Sequence, residues 1–223
     1  MKTYSFQFDR NVPLGVECAL PPIEAARASR EGRIGRVLVA LAMLLSLFGA
    51  CQLGRGLYIH AKAQLAQVLL ERAWQRTLAG GRQVKPWSWA DTWPVARLSV
   101  PEKGVDLFVL AGANGRAIAF GPGHMFGTAL PGEEGNSVIG GHRDTHLAFL
   151  RGVKPGTEID VQRMDGEWRR YRVEATDVLD KNETWVTKQD GWTRLTLVTC
   201  WPFDALRAGG PLRYVVFADA IGN

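Results

Sequence analysis

Arg194-Leu195-Thr196-Leu197-Val198-Thr199-Cys200-Trp201 decides the reading of this chain. Leu195, Leu197 and Val198 are apolar, Thr and Val are β-branched, and no Gly or Pro intervenes before Pro202. Such a run reads as a buried β-strand. Pro202 and the cluster Gly209-Gly210-Pro211 then force a loop. Cys200 therefore stands where a rigid strand meets an open loop, a placement suited to chemistry. Taken alone, a cysteine in an apolar strand reads more readily as an inert core thiol. The rest of the chain has to decide between the two.

Working outward, the punctuation is that of a mainly β domain. Val95 to Val100 alternates and Val105 to Leu110 is apolar. Asn114-Gly115 predicts a hairpin turn into a strand over Ala117 to Phe120. Ser137 to Gly140 is a further short run. Lys154-Pro155-Gly156 leads into Glu158 to Arg163, and Asp165-Gly166 joins that strand to one over Glu167 to Thr176. Leu195 to Cys200 and Leu212 to Ala218 complete the set. About eight short strands with one helical turn near Thr145 to Arg151 predict a barrel or sandwich.

Further upstream, Val37 to Gly54 holds no charged residue. Eighteen residues at the helical rise span ~27 Å, close to a bilayer core. Arg36 and Arg55 flank the run, and Tyr58 suits the interface. Six Lys or Arg precede the span, so the positive-inside rule places the N-terminus in the cytoplasm. A cleaved signal peptide and a lipid-modified Cys51 are the competing readings; the leader is long for both. Residues 1–33 read as a cytoplasmic leader, with a short helix over Ile23 to Arg30, and 34–57 as a transmembrane helix. Residues 58–94 read as a helical stalk and linker, and 95–223 as the outer domain. On the stalk, Ala61, Leu65, Val68, Leu69 and Ala73 share a face, and Gly80-Gly81 ends the helix.

The net charge of +5 carries little information. Seven of the 27 Lys and Arg, against four of the 22 acids, fall in residues 1–55. The remainder is nearly balanced and has no basic run, which argues against a nucleic-acid partner. Asn182-Glu183-Thr184 matches a glycosylation sequon by chance composition.

Of the three cysteines, Cys18, Cys51 and Cys200, only the last lies in the outer domain. A thiol without a disulfide partner in an oxidising compartment is a liability unless it is used. A nucleophilic thiol needs a base or an imidazolium beside it. His142, in Val138-Ile139-Gly140-Gly141-His142-Arg143-Asp144, follows a strand that runs into two glycines. His124 and His146 read as structural or surface histidines. A zinc site from His124, His142, Asp144 and His146 matches no compact ligand spacing.

Three features together resemble the sortase family: Thr196-Leu197-Val198-Thr199-Cys200, an arginine thirteen residues later at Arg213, and the upstream Gly141-His142-Arg143. The longer runs Gly135 to His146, Cys200 to Asp204 and Gly209 to Val216 are similar to the class GN sortases of Gram-negative bacteria. Trp201 stands where Tyr is frequent in that class, and Gly140 where Ala is common.

The resemblance implies an eight-stranded sortase-like β-barrel behind an N-terminal transmembrane helix and stalk, with no cofactor and no active-site metal. It implies a cysteine transpeptidase that cuts a Leu-Pro-X-Thr-Gly-like sorting signal after Thr through a thioacyl-enzyme and passes the acyl group to an amine. Cys200 would be the nucleophile, His142 the proton carrier and Arg213 the group that holds substrate and oxyanion. Arg207 is the rival of Arg213, which is preferred because strand alternation fixes its side. Thr199 is a candidate substrate contact, or simply a strand former. The implied partners are a secreted protein with a C-terminal sorting signal, an amine acceptor and the membrane. The implied location is the bacterial inner membrane, single-pass, with the catalytic domain periplasmic. A peptidase that hydrolyses the same kind of signal, and a non-enzymatic anchored β-barrel adaptor, are the alternatives.

Overall fold

The computed structural model describes residues 23–223 apart from 190, 206, 208 and 223, with side chains from residue 33 onward. The leader before residue 23, including Cys18, lies outside the described residues. The chain divides into two compact units, Met1–Tyr58 and Ile59–Asn223.

Helix α1, Ile23–Leu78, begins directly after Pro21-Pro22 and contains no proline. Ile23 to Arg30 is thus the start of a long helix and not a separate short one. In the first unit the apolar side chains of α1, among them Val37, Leu44, Leu47 and Phe48, are all exposed. The helix is long and apolar enough to cross a membrane, with a mean hydropathy of 2.1 in its most apolar window. A helix that is apolar on every side needs an apolar surround.

In the second unit the end of α1 packs through Ala66, Leu70, Ala73, Trp74 and Thr77, all buried. This corrects the expected face: Leu65 and Val68 are exposed. Trp74 sets the rotation. It buries the largest side chain on the helix, and its indole N–H donates to Gln162 Oε1 at 3.3 Å. Gly80, with φ of 95°, closes the helix. Its N–H bonds Thr77 O, and Gly81 N–H bonds Arg76 O, the paired pattern of a left-handed helix stop.

Eight strands close into a barrel in the order β1-β2-β3-β4-β7-β8-β6-β5. They are β1 Pro94–Val100, β2 Val105–Ala111, β3 Gly123–His124, β4 Asn136–Gly140, β5 Glu158–Gln162, β6 Trp168–Asp180, β7 Arg194–Cys200 and β8 Leu212–Ala220. The expected hairpin strand over Ala117 to Phe120 does not form. Asn114 Oδ1 accepts the N–H groups of Arg116 and Ala117, both at 3.1 Å, and starts a 3₁₀ turn over Ala117–Ala119. The asparagine side chain supplies the partner that a hairpin ladder would have supplied. The next strand is instead the short β3, parallel to β2.

One topological feature positions the site. β4 is parallel to β7, with Gly140 opposite Val198, so both strands end at the same rim. β8 is antiparallel to β7 and starts at that rim. Alternation then sorts the faces. Ile139, Leu195, Leu197, Val216 and Ala218 point into the core. Val198 and Cys200 on β7, and Arg213 on β8, take the opposite parity.

Candidate active site

Cys200 is the last residue of β7 and is half-buried. Arg213 stands directly opposite it in the antiparallel ladder. Directly opposed residues put their Cβ atoms about 5 Å apart on one face. The Arg213 guanidinium curls toward its own loop: Nη1 donates to Gly210 O at 2.8 Å and to Leu212 O at 2.9 Å. Its Nε and Nη2 have no partner among the described residues.

His142 comes from the neighbouring strand end. Gly141 N–H donates to Val198 O at 3.2 Å, and Thr199 Oγ1 donates to Gly141 O at 2.8 Å. The backbone of β4 is therefore held to β7 up to the residue before His142. β4 ends at Gly140 opposite Val198, so His142 and Cys200 each lie two residues past that pair, at the same rim. His142 is exposed, and its carbonyl accepts Leu147 N–H at 3.1 Å. Gly141 is closely packed there: a Cβ would stand 2.9 Å from Leu147 Cγ, so a larger residue needs one of the two to shift. At Gly140 a Cβ would meet nothing closer than Ala113 Cβ at 3.7 Å, so alanine fits.

Thr199 is buried, with its hydroxyl committed to Gly141 O. His124 is buried and sits apart from the thiol in the bonding pattern. Its Nε2 lies 2.8 Å from Ala129 O and 3.1 Å from Thr128 Oγ1. Burial pushes its pKa below the usual imidazole value. Burial also lowers the pKa of His146, and the nearby His142 adds a smaller push the same way. Asp144 and Arg207 serve a different residue, Arg143, through a carboxylate and a carbonyl oxygen. Among the described residues no group of three His, Cys, Asp or Glu comes together as a metal cage.

Three features escape a reading of the sequence alone. Arg143 is buried and donates to three carbonyls of the β7–β8 connection. Asn136, also buried, donates from Nδ2 to Val186 O and Lys188 O and accepts from Thr196 Oγ1, tying the β6–β7 connection to the sheet. Trp201, Phe203 and Tyr214 form an aromatic cluster beside Cys200, with ring centroids 5.2 to 5.6 Å apart. The only signal for the first two was their place in the runs around His142. Nothing in a sequence says which carbonyls a buried amide or guanidinium will find.

A protein-family model described as the Sortase domain matches residues 98–221, more than half of the chain. Over 125 residues the chain is 28% identical to sortase D of Bacillus subtilis (strain 168), covering 56% of this chain and 62% of that protein. The match thus spans less than two thirds of that relative's length. Among solved structures, sortase C-1 from Actinomyces oris is 28% identical with a TM-score of 0.52, over 58% of this chain and 75% of that one. A Clostridium perfringens sortase D5 transpeptidase is 26% identical with a TM-score of 0.53, over 68% of this chain and 89% of that one.

Proposed function

This chain belongs to the sortase family, and on that premise we propose that it is a membrane-anchored cysteine transpeptidase. The Cys200 thiolate attacks the Thr carbonyl of a Leu-Pro-X-Thr-Gly-like sorting signal, forming a C–S bond and a tetrahedral oxyanion. The C–N bond then breaks, and the departing amine takes a proton from the His142 imidazolium. An incoming amine gives its proton to the now neutral His142 and attacks the thioester. Cys200 leaves as thiolate and the new amide forms. A thioester divides one hard amide exchange into two easier steps. Arg213 offsets the oxyanion charge without exchanging a proton, because a guanidinium stays charged.

The observation that supports this reading best is the meeting of three strand ends at one rim: Cys200 opposite Arg213, and His142 one residue beyond the Gly141 bonds to β7. Thr199, with its hydroxyl on Gly141, holds the two parallel strand ends together; any contact it makes with substrate passes through its backbone. The apolar span of α1 anchors the enzyme with its N-terminus in the cytoplasm and the domain from about residue 95 in the periplasm. The partners are a secreted protein with a C-terminal sorting signal and an amine acceptor. The class GN subfamily rests on the runs around His142 and Cys200.

The test is peptide transfer by the detergent-solubilised full chain, with products weighed with and without added amine. Cys200→Ala should abolish transfer and keep the fold; His142→Ala and Arg213→Ala should each lower the rate on the order of 10². Transfer that survives Cys200→Ala would remove the thiol from the mechanism. Cleavage without an amine adduct, even at high amine, would make the enzyme a peptidase.

A further inference from the structure

Arg143 follows His142 directly, yet its side chain turns away from solvent; the residue is only 6% exposed. Four of its five guanidinium N–H groups have partners among the described residues. Nη1 donates to Pro202 O at 2.7 Å, Nη2 to Ala205 O at 2.6 Å and to Arg207 O at 3.0 Å, and Nε to Asp144 Oδ1 at 3.1 Å. The three carbonyls all belong to the connection that leaves Cys200. Among the described residues of this connection, one backbone bond lies within it: Ala205 N–H reaches Pro202 O at 3.4 Å. One planar group with five donors can satisfy diverging carbonyls at once; an ammonium on a flexible stem matches that geometry poorly, and a neutral amide has too few donors.

We propose that Arg143 is a positioning residue: its buried guanidinium clasps the loop after Cys200 to the residue after His142, so that the two strand ends keep a fixed register. The proposal rests on the reading of Cys200 and His142 as a working pair, and it adds what holds them. The β4–β7 ladder fixes the backbone as far as Gly141. Beyond it both chains leave the sheet, and among the described residues the Arg143 clasp is the hydrogen-bonded side-chain link between them, beside the Arg151 guanidinium 5.4 Å from the Phe203 ring centroid. Four of the five guanidinium N–H groups are engaged by carbonyl oxygens and by the exposed Asp144, so the charge of Arg143 is directed at the loop. Arg213 fills the separate role of meeting the oxyanion.

The experiment measures how often the two ends meet, without needing to know the substrate. In the full chain, His142→Cys is introduced and the disulfide between positions 142 and 200 is equilibrated against glutathione, with the linked peptides resolved by mass spectrometry from those of Cys18 and Cys51. The effective molarity is compared among H142C, H142C/R143K and H142C/R143Q, each assayed well below its own melting temperature. We expect R143Q to lower the effective molarity about tenfold and R143K about threefold, because a linked pair is set by the fraction of time its ends are in reach. A merely structural arginine would lower the melting temperature and leave the effective molarity of the folded protein within about twofold; that result overturns the proposal. Should R143Q not fold, R143K decides, and an unchanged value for it overturns the proposal equally. Failure of H142C to link to Cys200 with Arg143 intact would instead overturn the pairing of His142 and Cys200 itself.

Discussion

Gly140 and Gly141 are adjacent, look alike in the sequence, and should respond oppositely to one added methyl group. At Gly140 a Cβ would meet Ala113 Cβ at 3.7 Å and Val198 O at 3.9 Å, ordinary contacts. At Gly141 it would meet Leu147 Cγ at 2.9 Å and Cδ1 at 3.0 Å. Carbon atoms prefer about 3.5–4.0 Å, so something must move by about 0.5–1 Å. Neither glycine has a positive φ, so the cost is steric and not conformational. Leu147 is fully buried in the core cluster, and its N–H is bonded to His142 O, so its retreat drags the His142 backbone. If Gly141 retreats instead, it leaves Val198 O and the Thr199 hydroxyl. Overpacking of this size costs about 1–3 kcal/mol, which lowers the melting temperature by roughly 2–12 °C for a domain of this length. Either movement displaces the proposed proton carrier, and a misplacement near 1 Å costs up to about 10² in rate. Thermal melting and transfer kinetics of Gly140→Ala and Gly141→Ala should therefore separate: the first close to the parent in both, the second slower by about tenfold or more and less stable. Equal stability and equal rates for the two would refute the packing argument, since only the neighbour of Leu147 differs.

Two further predictions concern groups away from the thiol. Asn136→Ala removes the donor to Val186 O and Lys188 O and the acceptor of Thr196 Oγ1, in a setting that is buried for the first and third and partly buried for the second. A loss of about 2–4 kcal/mol is expected, with faster amide exchange over 184–189; unchanged exchange there would separate Asn136 from the order of that connection. Burial pushes the Tyr171 pKa up to about 12. An unfolded tyrosine ionises near pH 10, so the contribution is fully present below that value. Stability should then fall by about 1.4 kcal/mol per pH unit as pH rises from about 10 toward 12. Urea unfolding of the parent and Tyr171→Phe across this range tests the sign: the phenylalanine variant should lose that slope, and identical slopes would contradict it.

How much of this was readable in advance divides along physical lines. Strands that carry their own alternation, such as Val95 to Val100 and Leu195 to Cys200, were legible because a period of two is a local property. Asn114-Gly115 misled because its signal is also local, and a side chain claimed the backbone amides first. The buried face of α1 was misread because Trp74 outweighs several smaller apolar residues once a partner, Gln162, is available. The residues proposed for catalysis carried motif signals. Their supports, Arg143 and Asn136, act through carbonyls about fifty to sixty positions distant in sequence, and no local pattern encodes such pairings.

The sharing of work between the two faces of β7 explains why the proposed chemistry tolerates so apolar a strand. Leu195 and Leu197 point inward and fix the strand in the core. Cys200 has the other parity, so the same rigidity holds the sulfur without burying it. The parallel pairing with β4 carries the risk, because a slip of one residue would turn every side chain to the wrong face. The inward Thr199 counters that risk with a hydroxyl bond to Gly141, made one residue from Cys200 and one from His142. Arg213 is tied in the same manner by Gly210 O and Leu212 O. A guanidinium already held by its own loop need not be reorganised when negative charge develops, and donors that are fixed before the reaction stabilise a transition state most. The bonds that bind these groups to backbone oxygens therefore support the proposed chemistry instead of competing with it.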